Sequence, residues 1–221
     1  MKSTKLTFLA TLTLLGSFAT TTIANADEAT KPVTSSADVT IEKGDDTKPT
    51  DPIEPPEEPD KPTGQTGDLT IDYVTSLDFG SFKLGDNGAK SVKLTANKER
   101  EQEPKVQVTD KRGSGKGWTL TVAQTKVFKS AEHTLIGASL TLPAGTTSTS
   151  NATSDQAPTT KEVLVNDAPN EVMTAAAEQG LGTWVDTFEK EATTLEIPSG
   201  NYAGTYQAEL TWTLSNAPQG E

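Results

Sequence analysis

The chain has 221 residues, a formal net charge of −12 and no cysteine. An acidic balance of this size argues against recruitment to nucleic acid or to an anionic membrane surface by charge. Without thiols there is neither a disulfide framework nor a lipid-modified export site, so any folded part is held by its core.

At the N-terminus, Lys2 and Lys5 precede an uncharged apolar stretch from Leu6 to Ala19, and Ala24-Asn25-Ala26 places small residues at a cleavage position. That order reads as a secretory signal peptide over residues 1–26. The apolar stretch falls short of the roughly 20 residues needed to cross a bilayer, so export without direct membrane insertion is expected.

Residues 27–67 read as a disordered spacer rich in proline and acid. Pro32, Pro49, Pro52, Pro55, Pro56, Pro59 and Pro62 lie here, with many acids and no aromatic residue. Such a stretch buries too little apolar surface to offset the entropy of ordering. Its centre, Pro52-Ile53-Glu54-Pro55-Pro56-Glu57-Glu58-Pro59, favours polyproline II, further extended by like charge. A proline-motif ligand for a partner domain is the functional alternative.

Residues 68–221 read as one all-β domain. Leu69, Ile71 and Tyr73 alternate with polar residues, and Leu77 and Phe79 continue the pattern to Gly80. Val92 and Leu94, then Val106 and Val108, then Trp118, Leu120 and Val122 repeat it. Leu135 to Leu142 and Glu162 to Val165 are shorter apolar runs. The last strand sets Tyr206, Ala208, Leu210, Trp212 and Leu214 against Gln207, Glu209, Thr211 and Thr213. Period-two alternation marks half-buried strands. Turn clusters at Gly85-Asp86-Asn87-Gly88, Gly113-Ser114-Gly115 and Pro198-Ser199-Gly200-Asn201 fit a single β-sandwich, Ig-like or barrel-like. Glu171 to Gln179 reads as a loop or one short helix, and Thr146 to Thr160 as an exposed loop.

Chemistry is sparse. The one histidine, His133, would have to serve as the base of any serine triad, and no Gly-x-Ser-x-Gly elbow accompanies it. One histidine and no cysteine cannot build a zinc site, and no calcium loop appears. Gly113-Ser114-Gly115-Lys116-Gly117 lacks the ending of a phosphate loop and leads into a strand, so it reads as a tight turn. Asn151-Ala152-Thr153 matches a glycosylation acceptor, a pattern that carries little weight by itself. Leu142-Pro143-Ala144-Gly145-Thr146 has the wrong order for a sorting signal. No catalytic residue, metal or cofactor is expected, and the protein is read as a non-enzyme.

Two segments share Trp-Thr-Leu: Gly117-Trp118-Thr119-Leu120-Thr121-Val122, and Tyr206-Gln207-Ala208-Glu209-Leu210-Thr211-Trp212-Thr213-Leu214-Ser215-Asn216-Ala217-Pro218. The pair resembles the two motifs of the WxL domain of Gram-positive cell-surface proteins, and Leu69 to Gly80 resembles that domain's start. The likeness spans roughly Gly67 to Pro218. It implies a small secreted protein held non-covalently on the cell wall, with peptidoglycan or an associated wall polymer as ligand. It also implies partners: other WxL proteins and a membrane-anchored WxL-interacting protein. On this second reading the chain is a subunit of a surface adhesion complex without glycan affinity of its own. The motif residues carried over are Trp118, Leu120, Trp212 and Leu214, with Trp184 and Tyr206 as further aromatics. Trp and Leu two apart face the same way on a strand, so these residues either fill the core or present a platform. Trp118, beside a glycine turn, is the stronger candidate for the platform and Trp212 for the core.

Overall fold

The computed structural model describes residues 33–83, 90–150, 152–153 and 156–216. The signal peptide, the start of the spacer, the Gly85-Asp86-Asn87-Gly88 turn, Asn151 and the terminal Ala217-Pro218 lie outside these residues. The chain divides into two units, up to Thr40 and from Ile41 onward. In the first, residues 33–40 are exposed and carry no regular structure.

The regular structure of the second unit is almost wholly strand. In chain order they are β1 (Leu69–Val74), β2 (Ser91–Thr95), β3 (Lys105–Asp110), β4 (Trp118–Lys129), β5 (Ser139–Leu142) and β6 (Thr146–Thr149). There follow β7 (Thr159–Thr160), β8 (Val163–Val165), β9 (Asn170–Ala175), β10 (Gly182–Thr187), β11 (Thr194–Pro198) and β12 (Gln207–Ser215). They form three antiparallel sheets ordered β1-β3-β10-β6, β2-β11-β5-β8 and β12-β4-β9-β7. Among the described residues no sheet closes into a barrel, and the all-β sandwich expected from the alternation is the class observed.

One apolar core joins the three sheets. Ile71, Val106, Val108 and Trp184 enter it from the first sheet, and Leu140, Leu142, Leu195 and Ile197 from the second. Trp118, Leu120, Val122, Val172 and Met173 enter from the third. Each such side chain contributes about 1.5–3 kcal/mol by leaving water, which is how a chain without disulfides holds this shape.

Several local expectations are corrected. Glu171 to Gln179 is no helix: Asn170–Ala175 is β9, paired with β4. The ladder slips between Leu120 and Thr121, so consecutive Val172 and Met173 are both buried. A bulge of this kind hides the strand period that the sequence would otherwise display. Thr146 to Thr160 is not one loop, for β6 and β7 lie within it. Leu77 and Phe79 keep their inward alternation outside any strand. Here Asn97 Oδ1 accepts the Asp78 N–H (2.7 Å) and the Asn97 N–H bonds back to the Asp78 carbonyl (2.6 Å), so side-chain capping replaces a ladder.

The spacer also differs from expectation. Among its described residues no strand or helix occurs, yet from Lys43 onward it lies against the β1-β3-β10-β6 sheet. Gly44 N–H bonds to Lys111 O, and Thr63 N–H bonds to Asp72 O at 2.8 Å. Glu54 pairs with Lys105 and Asp60 with Arg100. Composition predicts that this segment cannot build a core of its own. It does not predict a ready-made polar surface elsewhere in the chain.

Candidate functional site

The two Trp-Thr-Leu segments sit side by side. β4 and β12 pair antiparallel with Leu120 opposite Leu214 and Val122 opposite Trp212. The indoles therefore lie on one face, two residues to either side of the leucine pair, and they meet different surroundings.

Trp118 has no exposed surface. Its indole N–H donates to Gly180 O at 3.0 Å. Gly180 holds φ +72°, and a Cβ there would stand 2.5 Å from Trp118 Nε1 and 2.4 Å from Ala175 Cβ. Gly117, at φ +71°, passes so close that a Cβ would lie 2.2 Å from Ala175 O. Gly180 brings backbone against the indole and seals it, while Gly117 lets the start of β4 pass tight against Ala175 and Ala176, which reverses the expectation that a glycine turn would leave the indole open. Leu120 is fully buried as well, and Trp184 is 2 % exposed with its N–H bonded to Leu181 O at 3.0 Å.

Trp212 is only half-buried and stands on the wall of a cleft of about 1040 Å³. Phe188 lies behind it, the ring centroids 6.4 Å apart and the planes tilted by 34°. Leu94, Leu140, Leu195 and Ile197 of the second sheet line the cleft, with Phe128 and Leu210 from the end of the β4–β12 ladder. Leu77, Phe79 and Phe82 contribute from the segment after β1, and Tyr202 and Tyr206 from the segment before β12. The β4–β12 ladder shifts register on both sides of Glu209, and bulges there bend the strands bordering the cleft. Leu214 is half-buried against the core. Of the motif residues, Trp212 and Tyr206 reach the cleft, while Trp118, Leu120 and Trp184 are buried inside the fold.

The tyrosines are held in place. Tyr206 donates its hydroxyl to Tyr202 O at 2.9 Å. Asn201 fixes the turn ahead of them: its Oδ1 accepts the Ile136 N–H at 2.7 Å and its Nδ2 donates to Pro198 O at 2.9 Å. His133 stacks on Tyr202 with centroids 4.1 Å apart and an interplanar angle of 15°. Its nearest acid is Glu132, at 3.9 Å.

Sequence reasoning missed Tyr202, Phe128 and Phe82 as cleft residues. Tyr202 lies just beyond the Pro198-Ser199-Gly200-Asn201 turn, where an exposed aromatic next to a strong turn is a usable signal. Phe128 lies past the motif part of β4 and carries no such mark.

A buried carboxyl also sits in the core. Asp186 on β10 is fully buried, and neither carboxylate oxygen meets a hydrogen-bond partner among the described residues. Burial pushes its carboxyl up to about 7. Asp72 is likewise raised by burial, against hydrogen bonds from Thr109, Thr70 and Gln107 that hold it down.

A family model described as "WxL domain surface cell wall-binding" matches residues 28–218. The match begins well before β1 and takes in the segment that lies on the first sheet. No curated protein matches, and no solved structure does either.

Proposed function

The chain belongs to the WxL family of surface, cell wall-binding domains, and from that premise we propose that it is an exported protein held non-covalently on a Gram-positive cell wall through the aromatic cleft. The observation that carries this reading is the placement of Trp212. It is the one indole of three left half-exposed, and it shares an open cleft with Tyr202 and Tyr206. Aromatic groups with a polar handle suit such half-wet sites, where one face stacks and the edge donates. Peptidoglycan or an associated wall polymer is the ligand on this reading. The protein acts by binding and not by catalysis, and its signal peptide over residues 1–26 supplies export.

One observation favours a second reading. Leu, Ile and Phe side chains form the apolar walls of the cleft, and such walls suit an apolar protein segment better than a polyhydroxylated chain. On this reading the cleft takes a membrane-anchored WxL-interacting protein, and wall association follows from that partner. Co-sedimentation with purified Gram-positive sacculi separates the two. Pelleting of the purified protein by itself supports direct wall binding. Pelleting only after the partner is added supports the second reading, and a protein that stays in the supernatant in both cases overturns both.

A further inference from the structure

We propose that the outer face of the β1-β3-β10-β6 sheet is a peptide groove for an extended proline- and acid-rich segment, that residues 51–60 are its built-in ligand, and that it accepts the same segment from a second copy of the chain. The face is separate from the aromatic cleft and does not depend on it.

Gln107 on β3 reads the peptide main chain. Its side-chain Nε2 donates to Asp51 O at 3.1 Å, and its Oε1 accepts the Ile53 N–H at 2.7 Å. The two bonds straddle Pro52, a residue with no N–H to satisfy. Gln107 is itself 2 % exposed. Nε2 also donates to Asp72 Oδ2 at 2.8 Å, and Asp72 accepts a 2.6 Å bond from Thr109. That carboxylate fixes which end of the amide is donor and which is acceptor, so the reading head is oriented before any peptide arrives. Asp72 holds this position because the β1 ladder slips between Ile71 and Tyr73. Beside it, Tyr73 and Val185 face Pro52 and Ile53 across a cavity of only about 30 Å³.

Charge sets the specificity. Lys105, almost buried, pairs with Glu54, and Arg100 pairs with the buried Asp60. Glu57 accepts the backbone N–H groups of Glu101 (3.1 Å) and Gln102 (3.0 Å), while Gln102 Nε2 donates to Pro55 O at 3.1 Å. The groove supplies two cations and free N–H donors; the ligand supplies three acids and an extended main chain. An amide, an aromatic and charged rims are the parts by which a proline-rich ligand is read, here with cations on the groove. Gly64 and Gly67, at φ +71° and +135°, join the segment to β1. This joint carries none of the recognition contacts, so the segment of a second copy meets the same groups.

The test uses the chain from residue 27 carrying Glu54→Lys, Glu57→Lys and Asp60→Lys, which sets like charge over Lys105 and Arg100 and frees the groove. A fluorescein-labelled peptide of residues 49–63 is titrated against it and followed by anisotropy. Saturable binding is expected, weakened at least tenfold when Gln107→Ala is added. The chain with its native segment should bind the peptide at least tenfold more weakly, because a tethered ligand competes at millimolar effective concentration. No binding to the triple variant, with a strand signal in circular dichroism unchanged from the native chain, overturns the proposal. If that variant does not fold, hydrogen exchange on the native chain decides. Protection of the Ile53 amide that disappears in Gln107→Ala supports the groove, and exchange of Ile53 at the free-peptide rate overturns it.

Discussion

Leu120 and Leu214, the leucines of the two Trp-Thr-Leu segments, stand directly opposite one another on β4 and β12. Their pairing places Trp118 and Trp212 about 14 Å apart along one face, at roughly 3.4 Å per residue. One indole falls where Gly180 and Ala175 close over it, and the other where the second sheet draws away to leave the cleft. The repeated motif therefore builds one interior residue and one surface residue from the same three letters.

That division predicts opposite phenotypes. Trp118→Ala removes a fully buried indole and should cost about 3–5 kcal/mol, read as a large fall in melting temperature. Trp212→Ala should lower the melting temperature far less. Equal losses in the two variants would show that Trp212 is as structural as Trp118.

Gly180→Ala should approach the Trp118→Ala loss although it adds only a methyl group. The new Cβ would meet Trp118 Nε1 and Ala175 Cβ inside contact distance, at a positive φ that a side chain resists. Thermal melting of the variant checks this. A change within experimental error would mean that the backbone beside the indole is free to move.

Arg112 holds the end of the last strand. Its Nε and Nη2 donate to the two oxygens of Asp110 at 2.9 and 2.7 Å, Nη2 also donates to Gly117 O, and Nη1 donates to Asn216 O. The Asp110 side chain is fully buried. Arg112→Ala should destabilise by about 3–5 kcal/mol, because it leaves that carboxylate uncompensated. Lysine lacks the planar fork, so Arg112→Lys should recover only part of the loss in chemical denaturation.

Asp186 predicts a pH dependence. Its folded pKa, raised to about 7, lies above the ordinary value of roughly 3.9 for an unfolded chain. The folded state therefore holds the proton more tightly. This group's contribution is fully present below the unfolded value and is lost as pH rises through the folded one. The shift corresponds to about 4 kcal/mol. Asp186→Asn removes the titration, so the variant should be the more stable protein at pH 8, with its advantage shrinking steadily toward pH 4. Denaturation curves of the two proteins that stay parallel across this range would refute the assignment.

Where the strand period is clean, the sequence is legible. β3, the first half of β4 and β12 alternate, and all three form as read. The lapses have local causes. The slip beside Val172 hides β9 behind two consecutive apolar residues, and Ala175-Ala176-Ala177 adds a helical propensity that pairing with β4 overrides. β10 sets two apolar residues, Trp184 and Val185, side by side, and β11 offers only Leu195 and Ile197 before Pro198, so the sequence marks either strand weakly. The site was half legible. Trp212 and Tyr206 stand in the distal motif, where Trp212 reads as the core candidate, but exposure is decided by what faces a residue across the sheets, and the structure sets Trp212 on the cleft wall. No spacing within β4 reveals that Gly180, more than sixty residues away, lies against Trp118. The acid- and proline-rich segment shows the same limit, for its composition is readable and the Gln107 amide that receives it is not.

The role of Trp212 in wall attachment is decided by co-sedimentation of Trp212→Ala and the unmodified chain with purified Gram-positive sacculi, with the WxL-interacting partner present and absent. The unmodified chain should pellet in at least one condition, while Trp212→Ala stays in the supernatant with a nearly unchanged melt. A Trp212→Ala protein that pellets as well as the unmodified chain would contradict that role.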